Sequence, residues 1–264
     1  MTHAFDTAIS LIPGEAGRLH GETSAGYWAF VGPFGGFTAS VLLRAVTLDP
    51  RAAGDPLALT VNYAAPIAEG RFDVAARLVR ANRSTQHWLV ELSQGDGEPA
   101  AVATVVMAER RESWSQQIAT PPSPGEAPIY DSGSSANWPG RYRFRFAAGA
   151  PDFQGGGTGE TRSEVWIADA EPRALDHASL AAMGDAFFGR IFHARRAIVP
   201  FGTVSMTTHF HVSAEELAAE GATEVLGIAD ARTFHRSYGD QTGELWSPAG
   251  RLLATTTQVF YFKA

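Results

Sequence analysis

Residues 74–107 and 227–260 read as two copies of one segment, aligned without a gap at a constant offset of 153. Ala76, Arg83, Ser84, Glu91, Leu92, Gly97, Ala101, Thr104 and Val106 recur as Ala229, Arg236, Ser237, Glu244, Leu245, Gly250, Ala254, Thr257 and Val259. Upstream, Leu59-Thr60-Val61-Asn62-Tyr63 resembles Met206-Thr207-Thr208-His209-Phe210 at a slightly shorter offset. A chain built this way is a fused pair of related modules, and two modules that pack together create a seam. The copies differ where chemistry would sit. Val105 of the first copy stands where Gln258 stands in the second, so only the C-terminal copy brings that amide.

Composition bounds the reading. The 264 residues suffice for two modules that each bury a core, and 45% hydrophobic with 19% charged residues is the balance of a folded globular chain. A net charge of −7 argues against nucleic acid as a partner, because phosphate backbones need a basic face. Without cysteine there is no disulfide, thiolate metal site or cysteine nucleophile. The opening MTHAFDTAIS has no cationic stretch followed by an apolar one, so no signal peptide is expected. No apolar run approaches the roughly 20 residues that span a bilayer. A cytoplasmic protein with no membrane partner is the expectation.

Periodicity predicts α+β organisation. The first module, residues 1–111, opens with a short strand at Arg18–Glu22. A helix then runs from the glycine-rich entry Gly32-Pro33-Phe34-Gly35-Gly36 to about Val46, with Phe37, Val41, Leu42 and Ala45 as its apolar face. Strands follow at Leu57–Ala64, Phe72–Ala81, Gln86–Ser93 and Ala100–Ala108, with a turn at Gln94-Gly95-Asp96-Gly97. One helix and an antiparallel meander are not a βαβ pattern. Residues 112–160 form an irregular connection marked by Pro121-Pro122-Ser123-Pro124-Gly125, Gly133-Ser134-Ser135 and Gly155-Gly156-Gly157, with aromatic residues that would pack down on the modules. The second module, residues 161–264, repeats the order: a strand at Glu164–Ala168, a helix from about Asp176 to Phe192, and strands at Thr203–His211, Glu224–Thr233, Arg236–Trp246 and Arg251–Phe262.

Three polar residues break local rules in the second module. Asp185 falls at the edge of the stripe Leu180, Met183, Phe187, Phe188 and Ile191, whereas the first helix carries no acid between Gly35 and Leu48. A carboxylate there needs hydrogen bonds, and desolvation would raise its pKa. In the last strand Leu252, Ala254, Thr256, Gln258, Phe260 and Phe262 share a face, which sets an amide among largely apolar neighbours. Thr203, Ser205, Thr207, His209 and His211 share a face of another strand. Singly, each has an ordinary reading: a solvated edge carboxylate, an amide satisfied by backbone, a strand hydroxyl. Together, Asp185, Thr203 and Gln258 lie on the helix and two strands of one module, in a site the sister module lacks.

The order of elements, Phe34-Gly35-Gly36 opening a helix, Asn62-Tyr63 through Pro66, Arg83-Ser84, Gly184-Asp185 and the final Ala254-Thr255-Thr256-Thr257-Gln258, resembles the acyl-CoA thioesterase II family. The resemblance covers roughly residues 15–110 and 160–262. It implies a double hotdog, two tandem modules each with an antiparallel sheet wrapped round a central helix. It also implies hydrolysis of acyl-CoA to fatty acid and CoA by a water held at Asp185, Thr203 and Gln258. Thr203 is matched only by lying eight residues before His211, with Ser205 as its substitute. Gly35 and Gly36 would let substrate approach the backbone N–H groups of the first helix, and Phe37, Phe187 and Phe188 would line the acyl chain.

Other readings stay open. His209 and His211 could begin a metal site, but no third ligand is in view and no metal or other cofactor is expected. A serine hydrolase is disfavoured, since no G-x-S-x-G occurs. A hotdog enoyl-CoA hydratase would pair its carboxylate with a histidine, yet His177 and His193 each lie eight residues from Asp185, on a different side of a helix. A non-catalytic acyl-CoA binding protein is the alternative from another class. A homo-oligomer, a dimer first of all, and a role in fatty acid metabolism complete the expectations.

Overall fold

The computed structural model describes residues 2–95, 97–131, 133, 137–155 and 159–263. Parts of three predicted turn or loop signals, at Asp96, Ser134-Ser135 and Gly156-Gly157, lie outside these residues. The elements are α1 (Ala4–Ala8), β1 (Ile12–Pro13), β2 (Leu19–Glu22), α2 (Gly35–Thr47), β3 (Asp55–Tyr63), β4 (Arg71–Ala81), β5 (Thr85–Ser93), β6 (Ala101–Ala108), β7 (Ile129–Tyr130), β8 (Tyr142–Ala148) and β9 (Ser163–Asp169). They continue as α3 (His177–Met183), α4 (Arg190–Arg195), β10 (Phe201–Phe210), α5 (Ala214–Glu220), β11 (Glu224–Asp230), β12 (Phe234–His235), β13 (Tyr238–Trp246) and β14 (Leu252–Phe262). Among the described residues no helix is long and apolar enough to cross a membrane.

The duplication is visible in the strand order. The first half pairs β2-β4-β5-β6-β3 and the second pairs β9-β11-β13-β14-β10, all antiparallel, with β3 joined to β10 so that one continuous sheet results. Shifting β5 by 153 residues gives the bounds of β13. At the join Thr60 pairs with Thr207, the residue it aligns with in the repeat, and their hydroxyls are 2.9 Å apart. Equivalent residues that pair with each other mark a local twofold axis between the halves. This is the double hotdog, with sheets adjoining edge to edge.

Each half wraps its sheet on a helix. Phe37, Val41, Leu42 and Ala45 of α2 are buried against Leu59, Val61, Val74, Val90 and Val105 of the first half. Burying each large side chain of this kind contributes roughly 1.5–3 kcal/mol. The two helices meet across the seam. Ser40 donates to the carbonyl of Ala178 at 2.8 Å, and a Cβ on Gly36 would stand 2.4 Å from the carbonyl oxygen of Ala182. Gly36, one turn before Ser40, is therefore demanded by helix–helix contact.

Three expectations are corrected here. The helix predicted over 176–192 is not continuous: α3 ends at Met183, and α4 begins only at Arg190. After Gly184 the chain tightens, with Asp185 N–H bonded to the Ala182 carbonyl and Ala186 N–H to that of Met183. The interruption lets Phe187 settle against Gly227 and Gly243, where an added Cβ would stand 2.7 and 3.2 Å from its ring. The corresponding first-half positions are Val74 and Val90. Residues 112–160 are not wholly irregular, because β8 pairs with β9 and extends the second half's sheet. Aromatic packing explains this: Tyr142, Phe144 and Phe146 alternate inward and are buried. Finally, Thr203 does not share a face with Thr207 and His209. A bulge between Thr203 and Ser205 in the β10–β14 pairing re-aims Thr203 toward the interior while Met206, Thr208 and Phe210 hold the buried face further along.

Candidate active site

The seam opens into a cavity of about 850 Å³, the size expected of a small-molecule site. Its wall is mostly apolar, from Phe34, Trp138, Phe187, Phe188, Phe192 and Phe201 among others. Asp185, Thr203 and Gln258 all reach it, from the α3–α4 connection, β10 and β14. Gln258 joins the other two: its Nε2 donates to Asp185 Oδ1 at 3.3 Å, and its Oε1 accepts from the Thr203 hydroxyl at 3.0 Å. The amide is thereby oriented, with its N–H group toward the carboxylate.

Asp185 is 8% exposed and its pKa is pushed up to about 7, foremost by desolvation. The Gln258 amide and the Gly36 backbone N–H oppose that rise by favouring the ionised form. The acid of the second half thus stands at the N-terminus of the helix of the first half, where the positive end of the helix dipole favours an anion. α2 has no side-chain N-cap of its own. Gly35 admits the carboxylate, since a Cβ there would be 2.6 Å from Asp185 Oδ2. Tyr63 fixes this turn by donating its hydroxyl to the Gly35 carbonyl at 2.8 Å. Burial and the nearby Asp185 hold the Tyr63 hydroxyl well above the usual tyrosine range.

The structure sorts the remaining expected contacts. Gly35, Phe187 and Phe188 line the cavity, whereas Gly36 and Phe37 do not. Phe37 points the other way, 1% exposed and stacked on Tyr27 at 5.9 Å between ring centroids. Helical geometry is the reason: two residues along α2 turn the side chain about 200° from Gly35. Ser205 does not reach the cavity. Among the described residues no histidine lines it; His177 hydrogen-bonds the Val212 carbonyl, and His193 is buried beside Arg190. Sequence reasoning missed Tyr63, Thr38 and Gln241 as cavity residues, and missed Trp138 and Tyr130, which enter from the connection. Gln241 carried a signal, because the 153-residue offset sets it opposite Trp88.

Comparisons with known proteins match both halves of the chain. The family model of the acyl-CoA thioesterase N-terminal domain matches residues 24–108, and that of the C-terminal domain matches residues 115–262. Among solved structures, a conserved protein of unknown function with a hot dog fold from Alicyclobacillus acidocaldarius is 41% identical, covering 100% of this chain and 99% of its own, with a TM-score of 0.93. An acyl-CoA thioesterase II from Mycobacterium marinum is 18% identical, covering 99% and 97%, with a TM-score of 0.74. The tesB protein of Mycobacterium avium subspecies paratuberculosis is 16% identical, covering 98% of each chain, with a TM-score of 0.76. A search of curated proteins finds no match. With both halves matched in order, the chain belongs to the acyl-CoA thioesterase family and is a thioester hydrolase.

Proposed function

We propose that the protein hydrolyses acyl-CoA to free fatty acid and CoA with a water activated by Asp185 and positioned by Gln258 and Thr203. The observation that carries this reading is the convergence of the three side chains on the wall of one apolar cavity, with Asp185 buried and its pKa near 7. A thioester carbonyl is already electrophilic and a thiolate leaves readily, so no covalent nucleophile is needed. Asp185 takes a proton from water as the water oxygen attacks the carbonyl carbon. The tetrahedral intermediate then collapses, the C–S bond breaks, and the sulfur recovers the proton. A positioned base of this kind typically contributes about 10²–10⁴-fold.

The developing oxyanion needs a preorganised donor. The Gly35 N–H, on the cavity wall at the start of α2, supplies it in this proposal, while the Gly36 N–H serves the carboxylate. The acyl chain lies against Phe187 and Phe188. The first half offers no second site, because Val105 stands where the second half has Gln258 and the first helix carries no acid. Two modules, one active centre per chain, and a cytoplasmic homo-oligomer belong to the same proposal. Thiol release measured across acyl-CoA chain lengths tests it: wild type should turn over and Asp185→Asn should lose at least about 10²-fold. Binding without thiol release in wild type would instead identify a non-catalytic acyl-CoA binder.

A further inference from the structure

Gln241 is 2% exposed, lines the cavity, and has a buried Nε2 with no hydrogen-bond partner. It is the register partner of Gln258 across β13 and β14 and lies on the inward face of its strand. Across β14, Met206 of β10 and Gln241 of β13 are the register partners of Gln258, while Thr203 reaches its amide by a hydrogen bond. Thr203 and Asp185 already engage the Gln258 amide, and neither engages Gln241. The sister half shows what a purely structural residue looks like here. Trp88 occupies the equivalent station, pairs with Val105, and has its indole N–H satisfied by Gln86. Exchanging a large ring for an amide reduces side-chain volume beside Gln258 and leaves a buried Nε2 donor without a protein partner on a residue that lines the cavity. A buried donor without a partner is costly, so its natural partner is an acceptor carried by whatever fills the cavity.

We propose that Gln241 is a specificity-determining residue that donates a hydrogen bond to an oxygen substituent on the acyl chain, a hydroxyl or ketone close to the thioester carbon. This rests on the thioesterase reading above and names the substrate class for it. Position argues for the substituent over the thioester oxygen. Gln241 is one strand spacing, about 5 Å, beyond Gln258, and is more deeply buried than Gln258 or Asp185, so it meets the chain past the reacting carbon. A site built to hydrogen-bond a substrate oxygen rejects the analogue lacking it far more strongly than an apolar wall rejects an extra methylene.

The test compares decanoyl-CoA with 3-hydroxydecanoyl-CoA and 3-oxodecanoyl-CoA, for wild type and for Gln241→Met, which keeps length and removes the amide. Wild type should favour an oxygenated chain by about tenfold or more in kcat/KM. Gln241→Met should erase that preference while keeping decanoyl-CoA turnover, and its thermal midpoint should not fall, since no protein hydrogen bond is lost. An equal ratio in wild type, or an unchanged ratio in the variant, overturns the proposal. So does an equal fall for all substrates, which would make Gln241 a donor to the thioester itself. Ligand-induced shifts in thermal midpoint are read in parallel with the same three compounds. If no substrate is hydrolysed, the thioesterase mechanism has failed, and an oxygen-dependent shift abolished by Gln241→Met still supports Gln241 while its absence overturns it.

Discussion

Asp185→Asn should separate catalysis from stability in a pH-dependent way. The native state binds the Asp185 proton more tightly than an unfolded chain does, because the pKa moves from 3.8 to about 7 on burial. The stability contributed by that tighter binding is fully present below the unfolded pKa and is lost as pH rises through the folded one. At ~1.36 kcal/mol per unit, a rise of roughly three units is worth about 4 kcal/mol by pH 8. Asparagine still accepts from Gln258 and Gly36 and carries no charge, but its new N–H₂ group must sit beside Gly35, which offsets part of the gain. We expect the variant to be more stable than wild type by about 2 kcal/mol at pH 8, a rise in Tm of about 4–8 °C for a chain of this size, and less stable by about 1–2 kcal/mol at pH 4, where the ionisation penalty is nearly gone and the offset remains. Thermal melts of both proteins from pH 4 to 8 read this directly. On the same preparations kcat/KM for acyl-CoA should fall at least about 10²-fold, and the wild-type profile should rise through about pH 7 and level off as the base ionises. Parallel Tm curves would refute the buried carboxyl; wild-type turnover in Asp185→Asn would refute the base.

Three further outcomes follow from the same geometry. Gln258→Val copies the first module but leaves the Thr203 hydroxyl unpaired and removes a bond that favours ionised Asp185; turnover should drop, and the rising limb of the pH–rate profile should move to higher pH, as steady-state rates would show. Gly35→Ala places a Cβ within reach of Asp185 Oδ2, so activity should fall by about tenfold or more while far-UV circular dichroism stays unchanged. Phe37→Ala should cost about 3–5 kcal/mol in urea unfolding without altering chain-length preference, whereas Phe188→Ala, on the cavity wall, should change that preference.

Much of the fold was legible because it depends on short-range pattern. Strand alternation at β4–β6 and β13–β14 and the apolar stripe of α2 are properties of neighbouring residues, and the 153-residue repeat carried the twofold organisation. The contrast of Val105 with Gln258 was equally readable, since it needs only the alignment. The break after Met183 was not, because a helical period continues through Phe187, Phe188 and Ile191, and only the hollow at Gly227 and Gly243, forty or more residues away, draws Phe187 out of it. The inward turn of Thr203 escaped for a similar reason: strand periodicity assumes an unbroken ladder, and the bulge exists only against β14.

The sequence by itself determined two related modules, the succession of their elements along the chain and the extra polarity of the second, because periodicity, turn chemistry and duplication are written along the chain. Tertiary structure alone decided which groups meet. Gly36 serves the contact of α2 with α3, Phe37 turns into the core, and Asp185 caps a helix 150 residues upstream, because burial, close approach and dipole alignment act through space between segments that no local pattern connects.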